Sequence, residues 1–132
     1  ADVPVEEIKK KLVLVATLTT VGKLVNAGVP RGHFDVIIVD EAGQALEAET
    51  VAAPAGLLGA DGQLVLGGDP RQLGPIIHSS LAKEHGLATS FLERLMERRV
   101  YRKRADGSFD GRVLTQLVRN LRQTRTQRFT KE

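Results

Sequence analysis

The sequence contains no cysteine and no tryptophan, and only four phenylalanines and one tyrosine among 132 residues. Without cysteine, a disulfide framework and a thiolate-bound metal are excluded, and an intracellular setting is the expectation. With so few aromatics, the core has to rest on Val, Leu, Ile and Ala. No apolar run approaches the ~20 residues that cross a bilayer, and the first residues lack a signal peptide's apolar stretch. A soluble chain with no membrane partner is therefore expected. The three histidines, His33, His78 and His85, are scattered without metal-ligand spacing, which reads as loop or surface histidines. No serine sits in a nucleophile elbow, and no internal repeat, low-complexity segment or interdomain linker is visible.

What remains is one domain in size, with the ordinary balance of 42% hydrophobic and 27% charged residues. The net charge of +3 hides an asymmetry. Residues 1–90 carry seven Lys/Arg against eleven Asp/Glu, whereas residues 91–132 carry twelve against five. A basic final third points to nucleic acid or another polyanion, and equally to a solvated helix face or an unfolded tail.

The chain is organised around Val36-Ile37-Ile38-Val39-Asp40-Glu41-Ala42-Gly43-Gln44. Four consecutive apolar residues read as a strand buried on both faces, and two carboxylates follow it without a break. In an α/β sheet the carboxyl ends of the strands face the ligand crevice, so Asp40 and Glu41 stand where ligands bind. Paired acids there suit a phosphate-bound Mg²⁺ and a water to be activated. Acids that simply end a strand at a turn are the plainer alternative.

Around that strand, residues 1–11 read as a short polar stretch that caps nothing. Lys11 to Ala16 is a second buried-strand candidate, running into Thr17, Thr19 and Thr20, hydroxyls suited to a loop or a helix N-cap. A helix through Val21, Leu24 and Val25 follows, ended by Gly28 and Pro30. Ala45 to Val51 is helix-prone, with Pro54 and Gly56 limiting its length, and Gln63 to Gly67 reads as a third buried strand. Ser90 to Arg99 is an amphipathic helix carrying Phe91, Leu92, Leu95 and Met96 on its core side. Ala105 to Ser108 is a turn, since Asp-Gly accepts positive φ, and a last helix covers Val113 to Leu121. Strands alternating with helices imply a parallel sheet. Three strands are few for a complete nucleotide-binding core, so the fold class is α/β with an incomplete sheet.

The third strand leads straight into Gly68-Asp69-Pro70-Arg71-Gln72-Leu73-Gly74-Pro75. Gly68 and Pro70 make a tight turn that lifts Asp69, Arg71 and Gln72 above the sheet edge. The Gln72 amide offers a donor and an acceptor to a phosphate or an attacking water, and Arg71 can pair with a phosphate. In isolation Gly-Asp-Pro-Arg is just a turn; following Asp-Glu-Ala-Gly-Gln across a helix and a strand, it becomes specific.

Together these stretches resemble the first motor domain of superfamily 1 RNA helicases of the up-frameshift type. There Asp-Glu-Ala-x-Gln is motif II and Gly-Asp-x-x-Gln-Leu-x-Pro is motif III. Leu66 to Pro75, His85-Gly86-Leu87 and Ser90 to Leu95 look closest to the Moloney-leukaemia-virus-10 and Armitage branch. That resemblance implies an incomplete RecA-like, P-loop NTPase sheet flanked by helices. Residues 1–122 would form the C-terminal part of the first RecA-like domain, with 123–132 as a divergent basic tail. It implies Mg²⁺ and ATP as cofactors and single-stranded RNA as partner, with translocation from 5′ to 3′. Cytoplasmic ribonucleoprotein granules, and proteins of RNA silencing or messenger decay, are the implied surroundings.

On the same resemblance Asp40 is the Mg²⁺ ligand and Glu41 the general base. Gln44 and Gln72 sense the γ-phosphate, while Asp69 and Arg71 couple it to the RNA site. Thr17, Thr19 and Thr20 look like the threonines that touch the nucleic-acid backbone. Arg122, within Leu117-Val118-Arg119-Asn120-Leu121-Arg122, matches the arginine that stabilises transferred charge. Two departures stand out. The family's Tyr, Ser and His are Leu121, Gln123 and Thr124 here, and no Gly-x-x-x-x-Gly-Lys-Ser/Thr occurs anywhere in the sequence. The phosphate cradle is thus expected before residue 1, the second motor domain after residue 132, and the chain by itself is expected not to hydrolyse ATP. The alternatives are a truncated, non-enzymatic RNA- or protein-binding module, and a DNA-directed helicase of the same superfamily.

Overall fold

The computed structural model of the chain describes residues 4–118, which fall into two compact units, Ala1–Leu95 and Met96–Glu132. In the first unit a short helix, α1 (Val5–Ile8), occupies what the sequence presents as a featureless polar end. Its acids Glu6 and Glu7 pair with Lys9 and Lys10 one turn on, at 2.7 and 2.6 Å. Ile8 turns inward and is buried.

Lys11 to Ala16 is not a strand. Leu14 reaches the core, but Leu12, Val13 and Val15 are 97, 80 and 92% exposed. An apolar run makes a strand only where a neighbouring strand satisfies its backbone, and here no such neighbour lies among the described residues. The helix after it forms as expected: α2 (Leu18–Asn26) is capped by Thr17, whose Oγ1 accepts the Thr20 N–H at 3.3 Å. Gly28, at φ +89°, ends it.

β1 (Phe34–Val39) is followed by α3 (Glu47–Leu57) and β2 (Leu58–Leu66), a β–α–β unit whose strands pair in parallel. Val36 to Val39 lie opposite Gln63 to Leu66, with an irregularity between Phe34 and Val36. This two-stranded sheet is the parallel core expected, one strand short. Pro54 does not stop α3 but lies inside it. The ring removes the N–H that would donate to the Thr50 carbonyl; separately, the fully buried Thr50 hydroxyl donates to the Leu46 carbonyl at 3.0 Å.

The core gathers on one side of the sheet. Ile8, Leu24, Val29 and Leu57 are buried there, with Val21, Val25, Phe34 and Ile37 packed against them. β1 is therefore not buried on both faces. Val36 and Ile38 are 48 and 71% exposed, and Val65 of β2 is 47% exposed. Alternate residues of a strand point to opposite faces, and among the described residues only the Ile37 face is covered by helices.

Beyond the sheet come α4 (Ser80–Glu84), capped by Ser79, and α5 (Phe91–Met96), which is shorter than the helix expected to reach Arg99. Phe91, Leu92, Leu95 and Met96 are half-buried. In the second unit a 3-10 turn covers Arg99–Tyr101. The Asp106-Gly107 turn forms, with Gly107 at φ +81° and the Arg104 N–H donating to the Ser108 carbonyl at 2.8 Å. The expected last helix is absent over Val113 to Val118. Only a single turn closes there, the N–H groups of Val113 and Leu114 both donating to the Asp110 carbonyl. The rest of that expected helix, Arg122 and the tail 123–132 lie outside the described residues.

Candidate active site

Both motif loops leave the carboxyl ends of the parallel strands, Asp40 to Gln44 from β1 and Gly67 to Gln72 from β2. Backbone hydrogen bonds lace them together. The Gly67 N–H donates to the Val39 carbonyl at 2.8 Å, and the Ala42 N–H donates to the Gly67 carbonyl at 2.8 Å. The loops then touch so closely that side chains have no room. A Cβ on Gly68 would sit 3.0 Å from the Gly43 nitrogen and 3.1 Å from that of Ala42. A Cβ on Gly43 would sit 3.0 Å from the Asp69 carbonyl oxygen. Ala42 and Gly43 are buried, while Asp40, Glu41, Gln44, Asp69, Arg71 and Gln72 all stay exposed on the same pair of loops.

Each loop also organises itself. Asp40 Oδ1 accepts the Glu41 N–H at 3.0 Å, and Glu41 Oε2 accepts from Gln44 Nε2 at 3.2 Å. In the second loop Asp69 Oδ1 accepts the Arg71 N–H at 2.9 Å and Oδ2 accepts from Gln72 Nε2 at 3.4 Å. Glu41 and Asp69 thus each hold a glutamine amide three residues on. Glu41 adopts φ +53°, a left-handed backbone that side chains other than Gly and Asn seldom take and that clusters at functional sites.

The donor set fits Mg²⁺. That ion keeps most of its waters and binds through one or two carboxylates plus substrate phosphates, not an all-protein cage. Asp40 offers a solvent-facing carboxylate whose Oδ2 takes no protein donor among the described residues. No group of three or more His, Asp or Glu residues gathers into a cage among those residues.

Thr17, Thr19 and Thr20 stand exposed at the start of α2, the Thr17 and Thr20 hydroxyls 3.0 Å apart. No hydrogen bond joins them to the motif loops among the described residues. An open groove of about 710 Å³ beside α3, lined by Val51, Ala82, His85 and Leu87 among others, contains none of the expected site residues.

Sequence reasoning missed the buttress behind the loops. Leu46, two residues after Gln44, bridges to Ser90 across an isolated antiparallel pair. Arg94 of α5 grips Glu47 at the start of α3 with two bonds, Nε to Oε2 at 2.6 Å and Nη2 to Oε1 at 2.5 Å. The guanidinium's hydrogen bonds hold the Glu47 carboxyl below its usual range. Leu92 lies 3.1 Å from the Cβ position of Gly68. Partners 47 residues apart leave no periodicity to read, so no local signal marks this pair.

Comparison with known proteins shows the family to which the chain belongs. A family model described as an AAA domain matches residues 3–80. The chain is 50% identical over 118 residues to "Putative helicase mov-10-B.1" of Danio rerio, covering 89% of this chain and 12% of that protein. It is 45% identical to "RNA helicase Mov10l1" of Homo sapiens and 42% identical to "Probable RNA helicase armi" of Drosophila melanogaster, covering 83% of this chain and 10% of each protein. The chain therefore spans about a tenth of the length of these relatives. No solved structure matches it. With an α/β parallel sheet, two acid-bearing loops joined at its strand ends and these relatives, the chain belongs to the AAA domain family with its P-loop NTPase-like fold, in the Mov10- and Armitage-type helicase branch.

Proposed function

We propose that this chain carries the hydrolytic and RNA-coupling loops of an ATP-dependent helicase that moves 5′ to 3′ along single-stranded RNA. The observation that supports it best is the contact of Gly68 with Ala42 and Gly43, which holds two loops of different strands as one body. Phosphoryl transfer relies on positioning and charge stabilisation more than on covalent chemistry, and a shared rigid edge supplies the positioning. Asp40 would hold Mg²⁺, which when bound neutralises charge on the phosphates. Glu41, its carboxylate steadied by Gln44, orients the attacking water and accepts its proton. Gln72 and Arg71, tied to Asp69 on the second loop, would pass a change at the γ-phosphate to RNA. Thr17, Thr19 and Thr20 would meet the RNA backbone, and Arg122 would stabilise the transferred charge. RNA as substrate is inferred from relatives named RNA helicases; silencing or decay proteins as partners, and cytoplasmic granules as the setting, rest on the motif resemblance alone.

The 132 residues contain no phosphate-binding loop, so the purified chain is expected to show no ATPase activity above background. The test is a chimera in which this segment replaces the matched 118 residues of the Danio rerio relative. The chimera should retain RNA-stimulated ATP hydrolysis, and Glu41→Gln should lower turnover by about 10²–10⁴ while RNA binding persists. Unchanged turnover in the Glu41→Gln chimera would refute the assignment.

A second reading, a non-enzymatic RNA-binding module, draws on the excess of twelve Lys/Arg over five Asp/Glu in residues 91–132. Salt-sensitive RNA binding by the chain without nucleotide, with a hydrolysis-dead chimera, would favour it.

A further inference from the structure

The second unit holds a charged feature that the helicase reading does not use. Residues 98–104 read Arg-Arg-Val-Tyr-Arg-Lys-Arg, five cations in seven positions around one aromatic. Two of the acids near them are already engaged, and a third, Glu97, stands exposed beside Arg98 and joins none of the ion pairs of the described residues. Asp110 takes Arg112 at 2.6 Å and Arg104 at 3.0 Å, and Asp106 accepts both the N–H and the hydroxyl of Ser108. Those bonds, with the Arg104-to-Ser108 backbone bond, close the 104–112 loop into a defined base. Arg98, Arg99, Arg102 and Lys103 are exposed, and none has a carboxylate partner among the described residues. Lys103 lies over the Phe109 ring, 5.6 Å from its centroid, and Tyr101 is half-buried within the same run.

A structural role does not account for this arrangement. A folding element tends to pair or disperse like charges, because like charges packed together cost stability. Here Asp106 and Asp110 are turned to the loop's own base, and four cations without an ion-pair partner among the described residues are left, against the single acid Glu97, on a short 3-10 turn followed by extended backbone at Arg102. Phosphodiesters spaced along a flexible single strand match such a row.

We propose that Arg98, Arg99, Arg102 and Lys103 form a contact site for the phosphate backbone of single-stranded RNA, separate from the Thr17–Thr20 group and from the motif loops. The site reads charge, not sequence. It rests on the helicase reading only for the choice of RNA as ligand, and it acts without nucleotide.

The test uses the full 132-residue chain and a fluorescent twelve-nucleotide oligouridylate, with affinity measured across a salt series. Each phosphate contact contributes about 0.7 to the slope of log affinity against log salt for single strands. A triple Arg99→Gln, Arg102→Gln, Lys103→Gln variant should lower that slope by about 2 and weaken binding at least tenfold near physiological salt. A control triple of equal charge, Arg125→Gln, Arg128→Gln, Lys131→Gln, should leave the slope within about 0.5 of the parent. Equal loss in both triples would overturn the site in favour of diffuse charge, and an unchanged first triple would overturn it outright. Discrimination of oligouridylate from oligothymidylate by more than tenfold would overturn the backbone reading. If the first triple loses its fold by circular dichroism, Lys103→Gln alone decides, with a slope loss of about 0.7 expected and no loss refuting the contact. The ATPase of the chimera is an independent readout: its failure with this binding intact refutes the helicase reading alone.

Discussion

Replacing Gly68 by alanine places one methyl group at the most crowded point between the motif loops. It would lie 3.0 Å from the Gly43 nitrogen, 3.1 Å from the Ala42 nitrogen and 3.1 Å from Leu92 Cδ2. Leu92 can swing aside, but the two backbone nitrogens cannot easily, because the Ala42 N–H is anchored on the Gly67 carbonyl at 2.8 Å. Overpacking of this kind costs about 1–3 kcal/mol, against about 0.4–1 kcal/mol gained from the stiffer unfolded chain. A net loss of about 1 kcal/mol corresponds to a melting point lower by roughly 3–5 °C in a chain of 132 residues. Thermal unfolding followed by circular dichroism measures it. Gly22→Ala is the internal control. Gly22 lies within α2 with nothing within 4 Å of its Cβ position, so that change should raise stability by about 0.5–1 kcal/mol. In the chimera, Gly68→Ala should also depress ATP turnover, since it forces apart the loops carrying Glu41 and Gln72. A Gly68→Ala chain melting at or above the parent temperature would refute the close-contact argument.

Two further outcomes follow from the geometry. Arg94→Ala removes a bidentate pair whose side chains are 38 and 34% exposed, so solvent screening keeps the expected loss of stability small. Because the folded Glu47 carboxyl titrates below its ordinary 4.5, the pair's contribution is full above that pH. It disappears as the pH falls through the lower folded value, so the melting points of parent and variant should converge in acid. Thr17→Ala deprives α2 of its cap and should cost about 1 kcal/mol in urea unfolding, with Thr17→Ser restoring most of it.

Some of the molecule is plain in the sequence for physical reasons. Val36 to Val39 forms a strand because β-branched side chains favour extended backbone, and the acids follow at the strand end where ligand crevices lie. Thr17 reads as a cap because a hydroxyl before an amphipathic run can take an orphan N–H. Lys11 to Ala16 misleads because its composition is that of a strand while the described residues give it no strand to pair with. Pro54 misleads because a proline within a helix is tolerated where packing holds it; Ala53 and Leu57 on either side are buried. The bond of Arg94 to Glu47, and the contact of Gly68 with Gly43, join residues far apart in sequence, so tertiary packing alone discloses them.

The left-handed backbone at Glu41 separates what folding favours from what chemistry needs. Such a conformation costs a residue with a Cβ about 1 kcal/mol or more, and glycine almost nothing. Selection for stability alone would therefore drift position 41 towards glycine or asparagine. On the proposed hydrolytic role, a carboxylate standing there is an expense of the fold that its chemistry offsets, and the turn itself fixes the direction in which that carboxylate leaves the chain.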